Sequence, residues 1–186
     1  MRKLKLQVQM SIDGFISGPN GEMDWMTFNW DDELKQYVTE MTAQVDCIVL
    51  GRKLAQGFIP HWAARPAGED PSGIDKMNDT QKLVFTKTLE SSVWENTTLA
   101  KGDLKEEIAK LKSEHGNDII AYGGGTFVSA LIKHGLIDEL NLFINPVALG
   151  SGMSIFNELD GSQKFALASS RAFSCGIVLI KYCKAA

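Results

Sequence analysis

Apolar and polar residues alternate from Lys3 to Ser11, the period of a strand with one buried face. The pattern lapses into a loop rich in glycine and aromatic residues over 12–30. Asp31 or Asp32 then opens a helix reaching about Val45, because Leu34, Tyr37, Val38, Met41 and Val45 recur at helical spacing. Cys47–Leu50 is a short apolar run that reads as a buried strand feeding a helix over Lys53–Phe58. Residues 59–80 hold three of the five prolines and no sustained period, which predicts a long surface excursion with one short helix around Ile74–Asn78.

Lys82–Thr86 reads as a third strand, and the Asp103…Glu106 spacing of a capping box opens a helix to about Ser113. Asp118–Tyr122 is the next strand and Thr126–His134 the next helix, with Gly135 as its C′ residue. Beyond Leu136 the segments Glu139–Val147, Gln163–Ser170 and Gly176–Lys184 all alternate. Strands alternating with helices, then strands alone, predict an α/β three-layer sandwich. Its mainly parallel mixed sheet would carry antiparallel C-terminal strands and helices on both faces, in a single domain over 1–186.

Composition narrows the function. With 186 residues, 44% of them hydrophobic, the chain can bury a core without disulfides or metal. Cys47, Cys175 and Cys183 are odd in number and never form C-x-x-C, so neither a disulfide framework nor a zinc site is indicated. A net charge of −4 gives no footprint for nucleic acid. An anionic ligand would have to be held locally, by helix N-termini and a few placed cations, against a repelling overall field. The first ten residues lack a signal peptide's apolar stretch, and no segment approaches the roughly 20 apolar residues that cross a bilayer. A soluble cytoplasmic protein is expected.

Two strand-to-helix junctions carry candidate chemistry. The run Ile119-Ile120-Ala121-Tyr122 ends in Gly123-Gly124-Gly125 and enters a helix at Thr126-Phe127. Free backbone N–H groups and the positive end of a helix dipole then lie at the carboxyl edge of a parallel sheet, where α/β folds bind phosphates. Glycines let a pyrophosphate approach the backbone; the alternative is a tight turn with close helix packing. Val128 stands where a G-x-G-x-x-G fingerprint needs its last glycine, and no G-K-[ST] tripeptide occurs, so Rossmann and Walker A signatures are absent. The second junction is Gly51-Arg52-Lys53. Two cations at a helix start oppose its dipole, which a bound 2′-phosphate of NADP would offset; the alternative is a solvated basic pair.

These features resemble the dihydrofolate reductase fold family, and more closely the stand-alone proteins similar to the C-terminal reductase domain of bacterial riboflavin biosynthesis enzymes. The resemblance runs through Ser11-Ile12-Asp13-Gly14-Phe15-Ile16, Gly21-Glu22-Met23-Asp24-Trp25, Ile48-Val49-Leu50-Gly51-Arg52, the triple glycine with its helix, and Asp138-Glu139-Leu140. It implies NADPH as cofactor, with Gly123, Gly124, Gly125, Thr126 and Phe127 at the pyrophosphate, often through a cis Gly-Gly peptide. It also implies Gly51, Arg52 and Lys53 at the adenosine phosphate, Thr86 and Lys87 near the adenosine ribose, and Ile16 with the loop to Trp25 as a lid over the nicotinamide. A homodimer through the sheet region is implied as well. Asp24 stands where dihydrofolate reductases commonly carry proline before the loop tryptophan, and no arginine or histidine lies between Arg2 and Arg52.

Hydride transfer needs fixed geometry, exclusion of water and a proton for the reduced atom. Asp31 and Asp32, with Trp25, are the catalytic candidates: a carboxylate desolvated beside Trp25, Phe28 and Trp30 would have a raised pKa. The alternative is an N-cap followed by a first-turn acid. Asp13 before Gly14 reads as a turn. His61, His115 and His134 have no metal or triad spacing, and no G-x-S-x-G elbow occurs. The expectation is an NADPH-dependent reductase acting on a small planar heterocycle or related C=N or C=O acceptor. The resemblance implies 5-amino-6-(5-phosphoribosylamino)uracil; a true dihydrofolate reductase and a non-catalytic NADP-binding module are the alternatives.

Overall fold

The computed structural model describes residues 1–185, so the last residue of the expected domain lies outside the described residues. Eight strands form one sheet: β1 (Leu4–Met10), β2 (Val45–Gly51), β3 (Gln81–Phe85), β4 (Thr97–Ala100), β5 (Asp118–Ala121), β6 (Glu139–Ile144), β7 (Phe165–Ala172) and β8 (Val178–Lys184). Their order is β4-β3-β2-β5-β1-β6-β8-β7. The first six pair in parallel, and β8 and β7 add antiparallel strands at one side. This is the three-layer arrangement the pattern predicts.

Helices α1 (Asp32–Ala43), α2 (Arg52–Ala63) and α3 (Pro71–Asp79) precede β3, while α4 (Leu104–Ser113) and α5 (Gly125–Lys133) precede β5 and β6. Each face of the sheet has its own core. On one, Leu4, Leu6, Val8 and Met10 of β1 and Cys47 and Val49 of β2 pack with Ile108 and Leu111 of α4 and Val128, Leu131 and Ile132 of α5. On the other, Ile48, Leu50, Val84, Ile120 and Phe143 meet Leu34 and Met41 of α1 and Ala55 and Ile59 of α2. Alternation along each strand therefore feeds two layers, which is why β1 is buried along most of its length.

Several elements differ from the pattern: α1 ends at Ala43, and Val45, expected on its apolar face, instead opens β2. Helix α2 runs through Pro60 to Ala63 rather than stopping at Phe58, and Ala64 N still donates to Pro60 O (3.0 Å). Helix α3 starts at Pro71, with Asp70 as its cap accepting from Gly73 N. The proline-rich stretch is thus mostly helical: proline at the first helical position loses no hydrogen bond. Strand β4 had no alternation to mark it, being four residues on the sheet edge. Strand β6 stops at Ile144 rather than Val147, with Asn145 N making a last bond to Met10 O (2.7 Å).

Candidate active site

Parallel strands β3, β2, β5, β1 and β6 end at one edge of the sheet, at Phe85, Gly51, Ala121, Met10 and Ile144. Two helices start at this edge from neighbouring strands. Val49 of β2 is in register with Ala121 of β5, so the Gly51 and Gly123–Gly125 turns lie side by side. A Cβ on Gly51 would come within 2.8 Å of Phe127 Cβ, so the absent side chain is what lets α5 sit against the end of β2. Phe127 also packs on Phe85, ring centroids 5.1 Å apart.

Gly124 caps α5 at φ +84° and ψ +91°, a backbone that side-chain-bearing residues rarely adopt. Gly123 also has positive φ (+124°). No peptide bond among the described residues is cis, so these glycines, rather than the cis Gly-Gly bond that the resemblance suggests, turn the chain.

Neither helix has a side-chain cap at this edge: α2 begins at Gly51 and α5 at Gly124, with no carboxylate in either first turn. The bare N–H groups remain free to hydrogen-bond a ligand. Arg52 reaches Gln56 Oε1 (3.3 Å), and Lys53 and Lys87 are exposed. None of the three takes part in an ion pair among the described residues, although the chain carries excess acid. Thr86 is buried, and its hydroxyl accepts from Thr88 N and Leu89 N (both 3.1 Å), turning the chain after β3. The donor set of bare N–H groups plus three unpaired cations fits a dinucleotide with a terminal phosphate.

The loop over 12–30 is tied to the same edge. Ile16 is buried; its N–H donates to Met153 O (2.9 Å), and Met153 N to Ser17 O (3.0 Å). The Met153 side chain covers Gly125, so this strap joins the loop to the start of α5. Asp13 accepts from Ser11 Oγ (2.6 Å), Leu149 N (3.1 Å) and Gly150 N (2.7 Å), which hold its pKa down to about 2. It is a latch between two loops as well as a turn. The far end of the loop is pinned where Thr27 N donates to Asn145 Oδ1 (2.9 Å) and Asn145 Nδ2 to Gln9 Oε1 (2.8 Å). Met153 and Asn145 carry no local motif; only the pairing of distant loops reveals them.

The expected catalytic acids open α1 at this same edge, where Ile144 of β6 pairs with Val178 at the start of β8 and Asp31 binds the turn just before it. Asp31 caps α1, accepting from Leu34 N (2.8 Å), and its other oxygen takes Ser174 Oγ (2.7 Å) and Cys175 N (2.9 Å) from the β7–β8 turn. These bonds, led by Leu34 N–H, hold its pKa at about 2, opposite to the upward shift a proton donor would need. Asp32 is exposed in the first turn. Trp25 is partly buried and spends its indole N–H on Glu22 O (3.0 Å), inside its own loop.

A family profile described as the RibD C-terminal domain matches residues 2–179. The chain belongs to this family. YyaP of Bacillus subtilis (strain 168) is 32% identical over 185 residues, covering 97% of this chain and 94% of YyaP. Among solved structures, the Thermotoga maritima diaminohydroxyphosphoribosylaminopyrimidine deaminase/5-amino-6-(5-phosphoribosylamino)uracil reductase superposes with a TM-score of 0.71 at 18% identity. That match covers 99% of this chain and 57% of the Thermotoga chain. Dihydrofolate reductase from Enterococcus faecalis, solved with NADP(H), matches with a TM-score of 0.64 at 18% identity, covering 99% of this chain and 97% of that one. These likenesses establish the dihydrofolate-reductase-like fold. No helix among the described residues is long and apolar enough to cross a membrane.

Proposed function

We propose that the protein is an NADPH-dependent reductase that transfers a hydride to a small planar heterocycle or a related C=N or C=O acceptor. The observation that carries this reading is the pair of uncapped helix starts on neighbouring strands, Gly51 and Gly124, with Arg52, Lys53 and Lys87 left unpaired beside them. The nicotinamide supplies the hydride when bound. Gly124–Phe127 would face the pyrophosphate with backbone N–H groups, and Arg52 would grip the terminal phosphate with its planar fork. Ile16, held by Met153, would screen the reacting faces from water. Asp31 is committed as a cap to Leu34 N, Ser174 Oγ and Cys175 N, which leaves Asp32 as the acidic candidate.

The acceptor follows from the lid. Residues 11–30 contain no cation, whereas Trp25, Phe28 and Trp30 offer flat apolar surfaces. That composition favours a neutral planar ring, as in a reductase of the 5-amino-6-(5-phosphoribosylamino)uracil type, with the acceptor's own phosphate left outside the lid. We further propose a cytoplasmic homodimer. Strand β7 is an exposed edge with an uncharged run, Ala166–Ser170, and Leu167 61% exposed, so two copies can pair edge to edge about a twofold axis.

The test is a titration with NADPH and NADH followed by tryptophan fluorescence, then turnover over a panel of C=N and C=O acceptors. NADPH binding with weak NADH binding and acceptor-dependent oxidation is expected. Binding without turnover on any acceptor would leave a dinucleotide-binding module, turnover of dihydrofolate alone a dihydrofolate reductase, and no binding would remove the reading.

A further inference from the structure

Beneath α1 the sheet is polar where a helix normally covers apolar residues. Lys5 and Gln7 of β1 and Glu139 and Asn141 of β6 share the face on which Phe143 packs with α1, and Lys5 Nζ reaches Met41 O at the end of that helix (3.3 Å). Gln7 is 8% exposed and Asn141 is fully buried, and the two are direct partners in the β1–β6 ladder. Two of the three buried side-chain atoms among the described residues that lack any hydrogen-bond partner are Gln7 Oε1 and Asn141 Oδ1. Asn141 Nδ2 is committed to Leu6 O (3.3 Å) and Glu139 Oε1 (3.2 Å), which fixes its oxygen as the free end.

Their neighbours are satisfied. Lys5 pairs with Asp118 (2.8 Å), Glu139 with Lys181 (2.9 Å), and Gln9 with Asn145 (2.8 Å). Two acceptors side by side with no donor are the complement of one molecule carrying two donors, and leaving both dry would cost the desolvation of each group. The place adjoins the candidate active site: Leu6 is in register with Ala121, so Gln7 lies level with Tyr122, whose ring stacks on Phe58 (5.4 Å) and whose successor opens the glycine turn.

We propose that Gln7 Oε1 and Asn141 Oδ1 form a seat for a paired hydrogen-bond donor. Its occupant is a bound water or the N–H edge of a planar heterocycle; the second source rests on the reductase reading, the seat itself does not.

Crystal structures of the full chain, alone and soaked with 2,4-diaminopyrimidine, separate the sources. Density about 2.7–3.2 Å from both oxygens without the probe identifies water. Its replacement by the ring's N–H edge identifies the heterocycle. A Gln7 Nε2–H donated straight to Asn141 Oδ1, with nothing between, overturns the proposal. Urea unfolding of Gln7→Leu, Asn141→Leu and the double variant gives a second readout. Each single change should lower the folding constant about tenfold, and the double no more than one of them, because both strip the same bridge. Additive losses would overturn the seat. Gln7→Leu should keep wild-type NADPH affinity. Wild-type protein that binds no NADPH would remove the reductase reading and the ring as occupant, while the water density and the coupling would still support the seat.

Discussion

Helices α1, α3 and α4 start at Asp31, Asp70 and Asp103, whose carboxylates each accept backbone N–H groups of the first turn; α2 and α5 start at Gly51 and Gly124, where no side chain does so. Glycine at this position costs only about a few tenths of a kcal/mol against a good cap, because solvent reaches the bare N–H groups. The folded state therefore loses little by leaving these two ends open. What it keeps is a set of donors pointing out of the sheet edge, at the two junctions that follow adjacent central strands. The capped helices are anchored to protein: Asp31 also holds the β7–β8 turn through Ser174 and Cys175. The comparison separates ends that serve the fold from ends left for a ligand.

The largest expected break of that contrast is Gly124→Ala. At φ +84° an alanine is strained by about 1–3 kcal/mol, and relief would rotate the first N–H groups of α5 away from their shared direction. Dinucleotide affinity should fall at least about tenfold and the Tm by about 3–10 °C, measured by fluorescence titration and thermal unfolding. Full affinity in a folded variant would mean that the turn only packs.

Arg52→Ala sharpens the contrast on the α2 side. Among the described residues its guanidinium has Gln56 as its one side-chain partner, so removal should cost little stability. NADPH binding should weaken about ten- to a hundredfold, the worth of one charged hydrogen-bonded contact, with NADH binding unchanged. Equal losses for both dinucleotides would place Arg52 away from the distinguishing phosphate.

How much of this was legible in the sequence depends on which residues speak locally. Gly51-Arg52 and Gly123–Gly125 announce themselves because a strand period ends in glycine and a helix period follows. The capping role of Asp103 is equally local. Asp31 is different: its cap was readable, but its second partner lies 143 residues away, and that partner helps to hold the carboxyl ionised. Met153 on Gly125 and Asn145 under Thr27 are contacts between loops that no period encodes. Strand β4 escaped because four edge residues carry no alternation, and α2 was cut short because Pro60 looks like a stop while its missing N–H breaks one hydrogen bond of a helix held by Ala55 and Ile59.

Asp31→Ala tests the anchored class. It strips Leu34 N, Ser174 Oγ and Cys175 N of their acceptor, so the Tm should drop by about 3 °C or more while NADPH affinity stays at the wild-type level. Loss of turnover at unchanged Tm would instead restore Asp31 as the proton donor. The pH dependence has a fixed sign. Asp31 and Asp13 are both depressed from 3.8 to about 2, so the stability they contribute is complete above about pH 4 and is lost as pH falls through about 2. Acid unfolding of the double alanine variant should therefore show a shallower loss over that window than the wild type.

Asp103→Ala should have the smallest effect and is the sharpest control. Its carboxylate accepts from Lys105 N (2.9 Å) and Glu106 N (3.2 Å) on an exposed turn, and α4 is otherwise held by buried Ile108 and Leu111. Removing the cap leaves those two apolar anchors in place, so the Tm should fall by only about 1–3 °C. Helix α4 follows the edge strand β4, which β3 separates from the β2–β5 junctions, so although Lys105 stands in its first turn, no second helix start follows the neighbouring strand. NADPH affinity should not change. If it fell as far as in Gly124→Ala, the capped and uncapped starts would not differ in what they bind, and the ligand would have to be held by some other part of the edge.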